Sequence, residues 1–402
     1  MKNFSTILLL GLIAIVGVFT LDVYLPGIPT MAQEFSVSIT QISFTFTAFS
    51  SVFAISQLFH GVLSDYIGRK PVLLVGLAIA GFATLFCIAA KSYEPLLMAR
   101  MLQAIGISVF VVVNAIIRDL YTGSKAIQVR TFVTTMSGVS ISVAPTIGGL
   151  LQNHLGWQGG FIASLILIVT ALAYAILFFQ ESNTSKPKSK FNFISILKSY
   201  GILFSDSRYI LHVIQTTLAY TVHFTFIILS ANIFINLLGF TPLTFGYLMF
   251  IYGGIYFVSG FIASSISKKF PAKDLIKLGS LCISASGILM LIVSLLTSFN
   301  AWQILLPMAV MTLGITIIRA TATTEALAQT QTQAGQGAAG LNLIQFTLSA
   351  LIASVINTLG IQPQISLSLL AIACALSITI LPKLHDRIGF IDIKKVGGKS
   401  LT

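Results

Sequence analysis

The sequence predicts an all-α integral membrane protein with twelve transmembrane helices in two pseudo-symmetric six-helix bundles. Composition, the spacing of apolar runs and the distribution of basic residues all support this fold class. Hydrophobic residues make up 56% of the 402 positions and charged residues 8%, with a mean hydropathy of +0.95. A soluble domain carries roughly 25% charged residues. Composition therefore excludes a water-soluble fold, and with it a soluble enzyme.

The apolar runs have the length that a membrane helix requires. Such a helix needs about 20 residues, because the hydrocarbon core is about 30 Å thick and each residue rises about 1.5 Å. Twelve runs of this kind occur in two groups of six. They cover roughly residues 6–26, 43–64, 71–90, 94–118, 131–152 and 158–180, and then roughly 209–236, 243–266, 274–296, 301–321, 337–359 and 364–383. The first run lacks a clear cleavage site, so we expect a retained span and not a signal peptide.

The longest polar stretch, residues 181–208, separates the two groups. We therefore predict an N-terminal bundle over 1–180, a cytoplasmic linker over 181–208, a C-terminal bundle over 209–385 and a cytoplasmic tail over 386–402. The later part of the linker mixes apolar residues with lysine. It forms either an amphipathic helix on the membrane surface or a plain connection.

The basic residues predict the orientation. Of 23 lysines and arginines, Lys91 alone is assigned to an outer loop and Arg100 alone to the interior of a span. The others, Arg319 near the end of span ten among them, are assigned to one side of the membrane. Because cytoplasmic loops are enriched in basic residues, both termini are expected in the cytoplasm. The same bias explains the +12 net charge without a nucleic-acid partner.

A weak internal repeat links the two groups of spans. Residues 61–70 follow the second span of the first group, and residues 260–269 follow the second span of the second group in the same register. Two six-span halves with matching loops are typical of transporters in which one half rocks against the other around a central site.

The segment GVLSDYIGRKPVL at residues 61–73 resembles the cytoplasmic loop signature of the major facilitator superfamily, G-x-L-x-D-x-x-G-R-[KR]. We expect Gly61 to permit close helix contact and Gly68 to make the tight turn. Arg69 and Lys70 then hold the loop on the cytoplasmic side.

This resemblance implies a latch between the two halves. In the family the residue at Asp65 caps the start of the eleventh helix, and the arginine pairs with an acid ending the fourth, here Asp119. Such a cluster would hold the outward-facing state. The alternative is a basic loop that only follows the positive-inside bias. The expected latch consists of Gly61, Asp65, Gly68, Arg69, Lys70 and Asp119.

Three further segments resemble proton-coupled drug exporters. Residues 21–29, LDVYLPGIP, resemble the T-D-x-Y-L-P-x-x-P signature of the bicyclomycin/chloramphenicol resistance (Bcr/CflA) subfamily, with the threonine one place early. Residues 100–106, RMLQAIG, resemble the R-x-x-Q-[GA]-x-G motif of drug–proton antiporters. Residues 138–149 resemble the fifth-span antiporter motif, which favours exporters over importers. Its expected members are Gly138, Ala144 (where a glycine is usual), Pro145, Gly148 and Gly149.

Asp22 and Arg100 are expected at similar depth in spans one and four. An ionisable group inside the membrane is costly and marks a functional site. If these helices are neighbours, the two side chains can pair across the cavity of the first half. We expect Asp22 to carry the coupled proton and Arg100 to set its affinity. The alternatives are a static packing pair, or Asp22 reaching the outer interface. Some related exporters carry a second first-span acid about two turns earlier, where this chain has Ala14. The resemblance therefore disfavours lipophilic cations and favours neutral or zwitterionic substrates.

The expected substrate cavity combines aromatic and polar residues. Each of its second-half members is, taken alone, more often a helix–helix contact than a ligand contact. Aligning Gly314 with Gly106 places Met308 opposite Arg100, so the charged apparatus is expected in the first half only. The cavity candidates are Asp22, Tyr24, Arg100, Gln103, Asn114, Tyr220, His223, Tyr252, Tyr256, Asn342 and Gln345.

The function that these resemblances imply is proton-coupled export of small amphipathic molecules by alternating access. An importer or facilitator of a nutrient, metabolite or siderophore is the alternative. No metalloprotease, nucleophile-elbow or nucleotide-binding pattern occurs, so we expect neither an enzyme nor ATP coupling, and no metal or other cofactor. The expected partners are the small-molecule substrate, protons and the bilayer of a bacterial inner membrane, with the protein as a monomer.

Overall fold

The protein is described by a computed structural model over residues 2–183, 193–267, 269–330 and 334–397. Within these residues twelve helices are long and apolar enough to span a membrane, which confirms the predicted fold class. They are Phe4–Glu34, Ile39–Ile67, Arg69–Ala89, Tyr93–Leu120, Gln128–Leu155, Gln158–Phe178, Ser207–Leu237, Pro242–Ser267, Ala272–Leu296, Trp302–Ala328, Gly335–Thr358 and Pro363–His385, here called spans one to twelve.

Several spans are built from more than one helical segment. Span one consists of helix Lys2–Asp22, a 3₁₀ turn at Leu25–Gly27 and helix Ile28–Glu34. Pro26 and Pro29 explain this interruption, because proline removes a backbone donor and clashes with the preceding turn. In span four the 3₁₀ turn Ser108–Val111 joins helices Tyr93–Ile107 and Val112–Leu120. The helix of span five begins earlier than the span, at Gly123, and the helix of span twelve continues beyond it, to Gly397. Span seven ends in a wide π-helical turn at Asn232–Leu237.

The linker contains a helix at Phe193–Ser205. This agrees with the helical alternative for the later part of the linker. Residues 184–192, Lys268 of the second repeat, 331–333 and 398–402 lie outside the described residues.

The described chain forms two compact units. The first comprises Met1–Phe193, Thr225–Phe257 and Ala350–Gly360, and the second comprises Ile194–Phe224, Val258–Ser349 and Ile361–Thr402. In the first unit, span one packs against spans five and six, and span three packs against spans four and six. In the second unit, span nine packs against spans ten and twelve. The division into two six-span halves describes the chain by sequence, and it stays a prediction.

Glycine contacts repeat between the two halves of the chain. A Cβ built on Gly76 in span three would lie 2.9 Å from the carbonyl oxygen of Gly106 in span four. A Cβ on Gly279 in span nine would lie 2.7 Å from the carbonyl oxygen of Gly314 in span ten. Small residues let membrane helices approach this closely. The equivalent contacts support the internal repeat and the alignment of Gly106 with Gly314.

The structure corrects the expected place of Arg319. Hydropathy ends span ten near residue 321, whereas the helix continues to Ala328. Arg319 therefore lies nine residues before the end of this helix and not at its cytoplasmic end. The expectation that the charged apparatus lies in the first half only stays a prediction, with Arg319 now a charged residue within candidate span ten.

Candidate functional site

The first unit places Asp22 and Arg100 in its interior. Asp22 is the last residue of the first helical segment of span one and is 6% exposed. Arg100 lies in span four, about 11 Å from the start of its helix at Tyr93. It is close enough to act electrostatically on Asp22. The two residues are therefore neighbours, as their expected depths suggest.

Arg100 lies between aromatic rings and is fully buried. Its guanidinium carbon is 4.3 Å from the ring centroid of Tyr24 and 4.2 Å from that of Phe49. One terminal nitrogen donates hydrogen bonds to the carbonyl oxygen of Thr20, at 3.1 Å, and to Oε1 of Gln103, at 2.6 Å. Stacking on aromatic faces stabilises the cation, since the ring faces carry negative potential.

The remaining donors of Arg100 are not matched. Nε and the second terminal nitrogen are buried without a hydrogen-bond acceptor. Among the described residues no ion pair within 4.0 Å joins Arg100 to Asp22; the ion pairs there are those of Arg69 and Arg118. Buried polar groups are nearly always hydrogen-bonded, so such donors need an explanation. The direct pair expected from the sequence is thus absent in this conformation, although both members are in place for it.

The other cavity candidates of the first unit fall into two groups. Tyr24 is buried, with its hydroxyl 3.1 Å from Oγ1 of Thr45. Gln103 is also buried and donates to Oγ1 of Thr84 at 2.7 Å, so it holds Arg100 in place. Tyr252 is buried against Phe226, whereas Tyr256 is partly exposed and Asn114 is exposed.

The second unit brings Tyr220 and His223 together. Their rings are 5.8 Å apart, and both residues are buried. On span eleven, Gln345 is buried and Asn342 is partly exposed. Arg319 of span ten lies over the ring of Tyr220, with its guanidinium carbon 4.5 Å from the ring centroid. Sequence reasoning did not include Arg319 among the cavity candidates, because it assigned this residue to the cytoplasmic end of span ten.

At the start of span three, Arg69 is the centre of a charged cluster. Its side chain is 2% exposed; it forms ion pairs with Asp65 at 2.6 Å and Asp119 at 2.9 Å. It also donates to Oγ of Ser64 at 2.7 Å. The pairing of Arg69 with Asp119 follows the resemblance. Gly68 adopts φ +123°, a conformation that favours glycine, so the expected tight turn is present.

Glu181 is a member of this cluster that sequence reasoning missed. Its carboxylate accepts hydrogen bonds from the backbone N–H groups of Arg69, at 2.9 Å, and Lys70, at 3.1 Å. These are the first residues of span three, so Glu181 caps that helix where the helix dipole favours an anion. Ser182 and Asn183 add hydrogen bonds to Asp119 and to the carbonyl oxygen of Asp65. The only available signal was an acid placed directly after span six.

We predict that Glu181→Gln loosens this cap in a pH-dependent way. Desolvation raises the pKa of Glu181, but the backbone N–H groups of Asn183, Arg69, Lys70 and Ser182 outweigh it, so the pKa lies below its usual range. Ionised Glu181 therefore stabilises the fold above the usual glutamate pKa of about 4.3, and this contribution is lost as pH falls through the lowered value. Thermal unfolding in detergent should show a lower Tm for Glu181→Gln at pH 7 and a difference that shrinks as the pH falls below about 4.3. A difference that does not change with pH would contradict the cap.

The antiporter motif of span five lies against spans one and eight. A Cβ on Gly148 would overlap the carbonyl oxygen of Val23 in span one, and a Cβ on Gly149 would overlap that of Pro242 in span eight. Oγ1 of Thr146 donates to the carbonyl oxygen of Gly246 at 2.9 Å. Ala144 packs with Phe19 and Val23 in a buried cluster. The motif thus brings helix backbones into direct contact.

Gly61 does not have the packing expected of it. A Cβ on Gly61 or on Gly138 would meet no atom within 4 Å. The close helix contact expected of Gly61 is thus absent in this structure, and Gly138 of the antiporter motif makes none either. Pro145 is inside the helix Gly123–Leu155 as expected.

Comparisons with known proteins agree with this architecture. The family model described as Major Facilitator Superfamily matches residues 8–354. Multidrug resistance protein D of Escherichia coli is 27% identical over 381 residues, which cover 94% of this chain and 95% of that protein. The bicyclomycin resistance protein homolog of Haemophilus influenzae is 24% identical over 361 residues, covering 89% and 90%.

Solved structures show the same fold at low identity. A POT family transporter in complex with 5-aminolevulinic acid aligns with a TM-score of 0.75 at 15% identity, covering 94% of this chain and 96% of that one. A bacterial homolog of the human lysosomal transporter Spinster, inward-facing and unoccupied, aligns with a TM-score of 0.67 at 16% identity, covering 96% of each chain.

Proposed function

Because this chain belongs to the Major Facilitator Superfamily, we propose that it is a proton-coupled exporter of small amphipathic molecules. Its relatives are named for multidrug and bicyclomycin resistance, which supports drug or metabolite efflux. It is a multi-pass inner-membrane transporter and not an enzyme. We place both termini in the cytoplasm, from the basic residues, and expect a monomer.

The main support for the proposal is that two N–H donors of Arg100 have no hydrogen-bond acceptor. A buried carboxylate without a partner is strongly unfavourable, so Asp22 is best accommodated as the neutral acid in this conformation. When Asp22 loses its proton, the unmatched donors of Arg100 provide its counter-charge. The two side chains then have two alternative arrangements, one protonated and one paired. A carrier that alternates between them exchanges a proton in each cycle.

The contact between spans five and eight involves the fifth-span motif, whose resemblance to antiporters favours export. In the proposed orientation, Pro242 and Gly149 lie near the outer side of the membrane. Their close backbone contact closes the outer ends of these spans against each other. Such a seal limits proton leakage while the carrier faces the cytoplasm. We assign the cluster of Asp65, Arg69 and Asp119 the part of a cytoplasmic latch, stiffened by Glu181.

Transport into inside-out membrane vesicles tests this function. Vesicles from a host without its own exporters are energised, and uptake of amphenicols, lipophilic cations and small zwitterions is followed. An exporter accumulates at least one of these compounds, and a protonophore abolishes that accumulation. Uptake that stops at equal substrate concentrations on the two sides would favour a facilitator. Uptake that requires right-side-out vesicles would favour an importer.

A further inference from the structure

Trp157 links the end of span one to the start of span six, and the proposed proton exchange does not use it. It directly precedes the helix Gln158–Phe178 and is 2% exposed. Its indole Nε1–H donates a hydrogen bond of 2.6 Å to Oε2 of Glu34, the last residue of span one. A buried indole N–H requires such a partner, because an unpaired buried donor is costly. Glu34 is exposed, so an acid at the surface orients a buried ring.

Two further contacts hold the indole of Trp157 in place. The ring of Phe35 packs edge-on against it, with the centroids 5.5 Å apart and an interplanar angle of 77°. A Cβ built on Gly27 would lie 2.8 Å from the Cβ of Trp157, so the turn Leu25–Gly27 lies directly against this residue. Small residues let membrane segments approach this closely. The indole is therefore held by a hydrogen bond, an aromatic contact and the backbone of span one.

Ring contacts continue from Trp157 to Arg100. The ring of Phe161, one turn further along span six, packs edge-on against the indole, with the centroids 6.0 Å apart and an interplanar angle of 87°. Phe161 is fully buried and lies 5.7 Å from the ring of Tyr24. Its ring centroid is also 5.7 Å from the guanidinium carbon of Arg100. These distances are within the ranges of aromatic pairs and of cation–π contacts. A continuous series of contacts therefore runs from Glu34 to Arg100.

The position of Arg100 matters for the proton of Asp22. Among the described residues, Arg100 acts electrostatically on Asp22 and on the side chains of Tyr24 and Cys87. Tyrosine and cysteine are mostly uncharged near neutral pH, since their usual pKa values are about 10 and about 8.5. Asp22 is therefore the member of this group whose charge responds to Arg100, because a nearby cation favours the ionised carboxylate. Since protein interiors are close-packed, a displaced indole shifts Phe161 and with it the wall against which Arg100 lies.

We propose that Trp157, oriented by Glu34, is a positioning residue for Arg100 and thereby sets the pH at which the site exchanges its proton. This inference rests on the proposed function, because it takes Asp22 as the group that carries the proton. The competing role for Trp157 is a tie between spans one and six that stabilises the fold without acting on the site. Both roles predict a loss of stability when the indole is removed, but only the positioning role predicts a changed pH dependence.

Intrinsic fluorescence tests the positioning role without a substrate. The chain has two tryptophans, so Trp302→Phe leaves Trp157 as the single emitter. Adding Glu34→Gln keeps an oxygen acceptor for the indole and removes the titration of the glutamate itself. Emission of this protein in detergent should change in one step as the pH rises, because ionised Asp22 draws Arg100 toward it and alters the ring contacts. The step should be lost when Asp22→Asn is added. A step that persists with Asp22→Asn, or no step at all, would overturn the proposal.

The pH dependence of substrate-induced proton release tests the same role at the site. Trp157→Phe keeps a ring but loses the hydrogen bond to Glu34. A less firmly held Arg100 stabilises ionised Asp22 less, so the pH of half-maximal release should rise by about half a unit. Glu34→Ala should produce a similar rise. Glu34→Gln keeps the acceptor and should behave like the wild type.

The chain offers a matched control for each variant. Trp302 is 65% exposed, and Glu94 is an exposed acid in the first turn of span four. Trp302→Phe and Glu94→Ala should leave the pH profile unchanged. A lower Tm with an unchanged pH profile in both Trp157→Phe and Glu34→Ala would reduce the contact to a tie and overturn the proposal. A fluorescence step that depends on Asp22, in a protein that accumulates no substrate, would refute the exporter and leave the positioning role standing.

Discussion

Asp22→Asn is expected to abolish proton-driven accumulation while leaving substrate exchange intact. In proteoliposomes with a gradient of one pH unit, one exchanged proton sustains an accumulation of up to about tenfold, because 1.4 kcal/mol corresponds to a factor of ten. Asparagine has nearly the same shape as the neutral acid but cannot release a proton. The variant should therefore fall to equal concentrations on both sides. Counterflow of labelled against unlabelled substrate should continue.

Asp274→Asn is the matched control, because Asp274 is an exposed acid in the first turn of span nine. It should accumulate substrate like the wild type. Full accumulation by Asp22→Asn would show that the coupled proton binds elsewhere. Loss of counterflow together with accumulation would instead make Asp22 a structural residue or a ligand contact.

Gly148→Ala is expected to have the second largest effect. Its Cβ would overlap the carbonyl oxygen of Val23, and backbone on both sides of the contact cannot rotate away. Overpacking of this kind costs about 1–3 kcal/mol. For a chain of 402 residues we expect a fall in Tm of about 1–4 °C, since an unfolding entropy of about 2.1 cal/mol/K per residue makes each kcal/mol correspond to about 1.2 °C. Fluorescence-detected size-exclusion chromatography after heating measures this shift.

Gly138→Ala provides the comparison within the same helix. A Cβ on Gly138 meets no atom within 4 Å, and alanine favours the helix by about 1 kcal/mol over glycine. Its Tm should be unchanged or slightly higher. If both substitutions behaved alike, helix propensity and not the contact with span one would determine the effect of Gly148.

Hydropathy predicts the fold well because every membrane span needs about 20 mostly apolar residues to cross the lipid core. Each predicted span overlaps the corresponding helix of the structure. The main error, at span ten, has a physical cause. Residues 320–328 are rich in alanine and threonine, so their hydropathy is low, yet they continue the helix. That error placed Arg319 at the cytoplasmic end of the span and not within it.

The site is less predictable because it depends on contacts between distant residues. The positions of Asp22 and Arg100 along their spans were enough to predict that the two residues lie at similar depth. They could not reveal that Arg100 is stacked between Tyr24 and Phe49, or that its donors are incompletely matched. The cap by Glu181 joins residues more than a hundred positions apart in the chain. No local pattern encodes such a bond.

Proton release on ligand binding tests the central claim most directly. Purified protein in weakly buffered detergent solution is mixed with amphenicols, lipophilic cations and small zwitterions, and the pH is followed. The account predicts that a bound substrate releases about one proton from the wild type, because Asp22 gives up its proton as it pairs with Arg100. Asp22→Asn should bind the same ligand and release none. Ligand binding without proton release in the wild type would contradict the exchange mechanism and make the protein a facilitator.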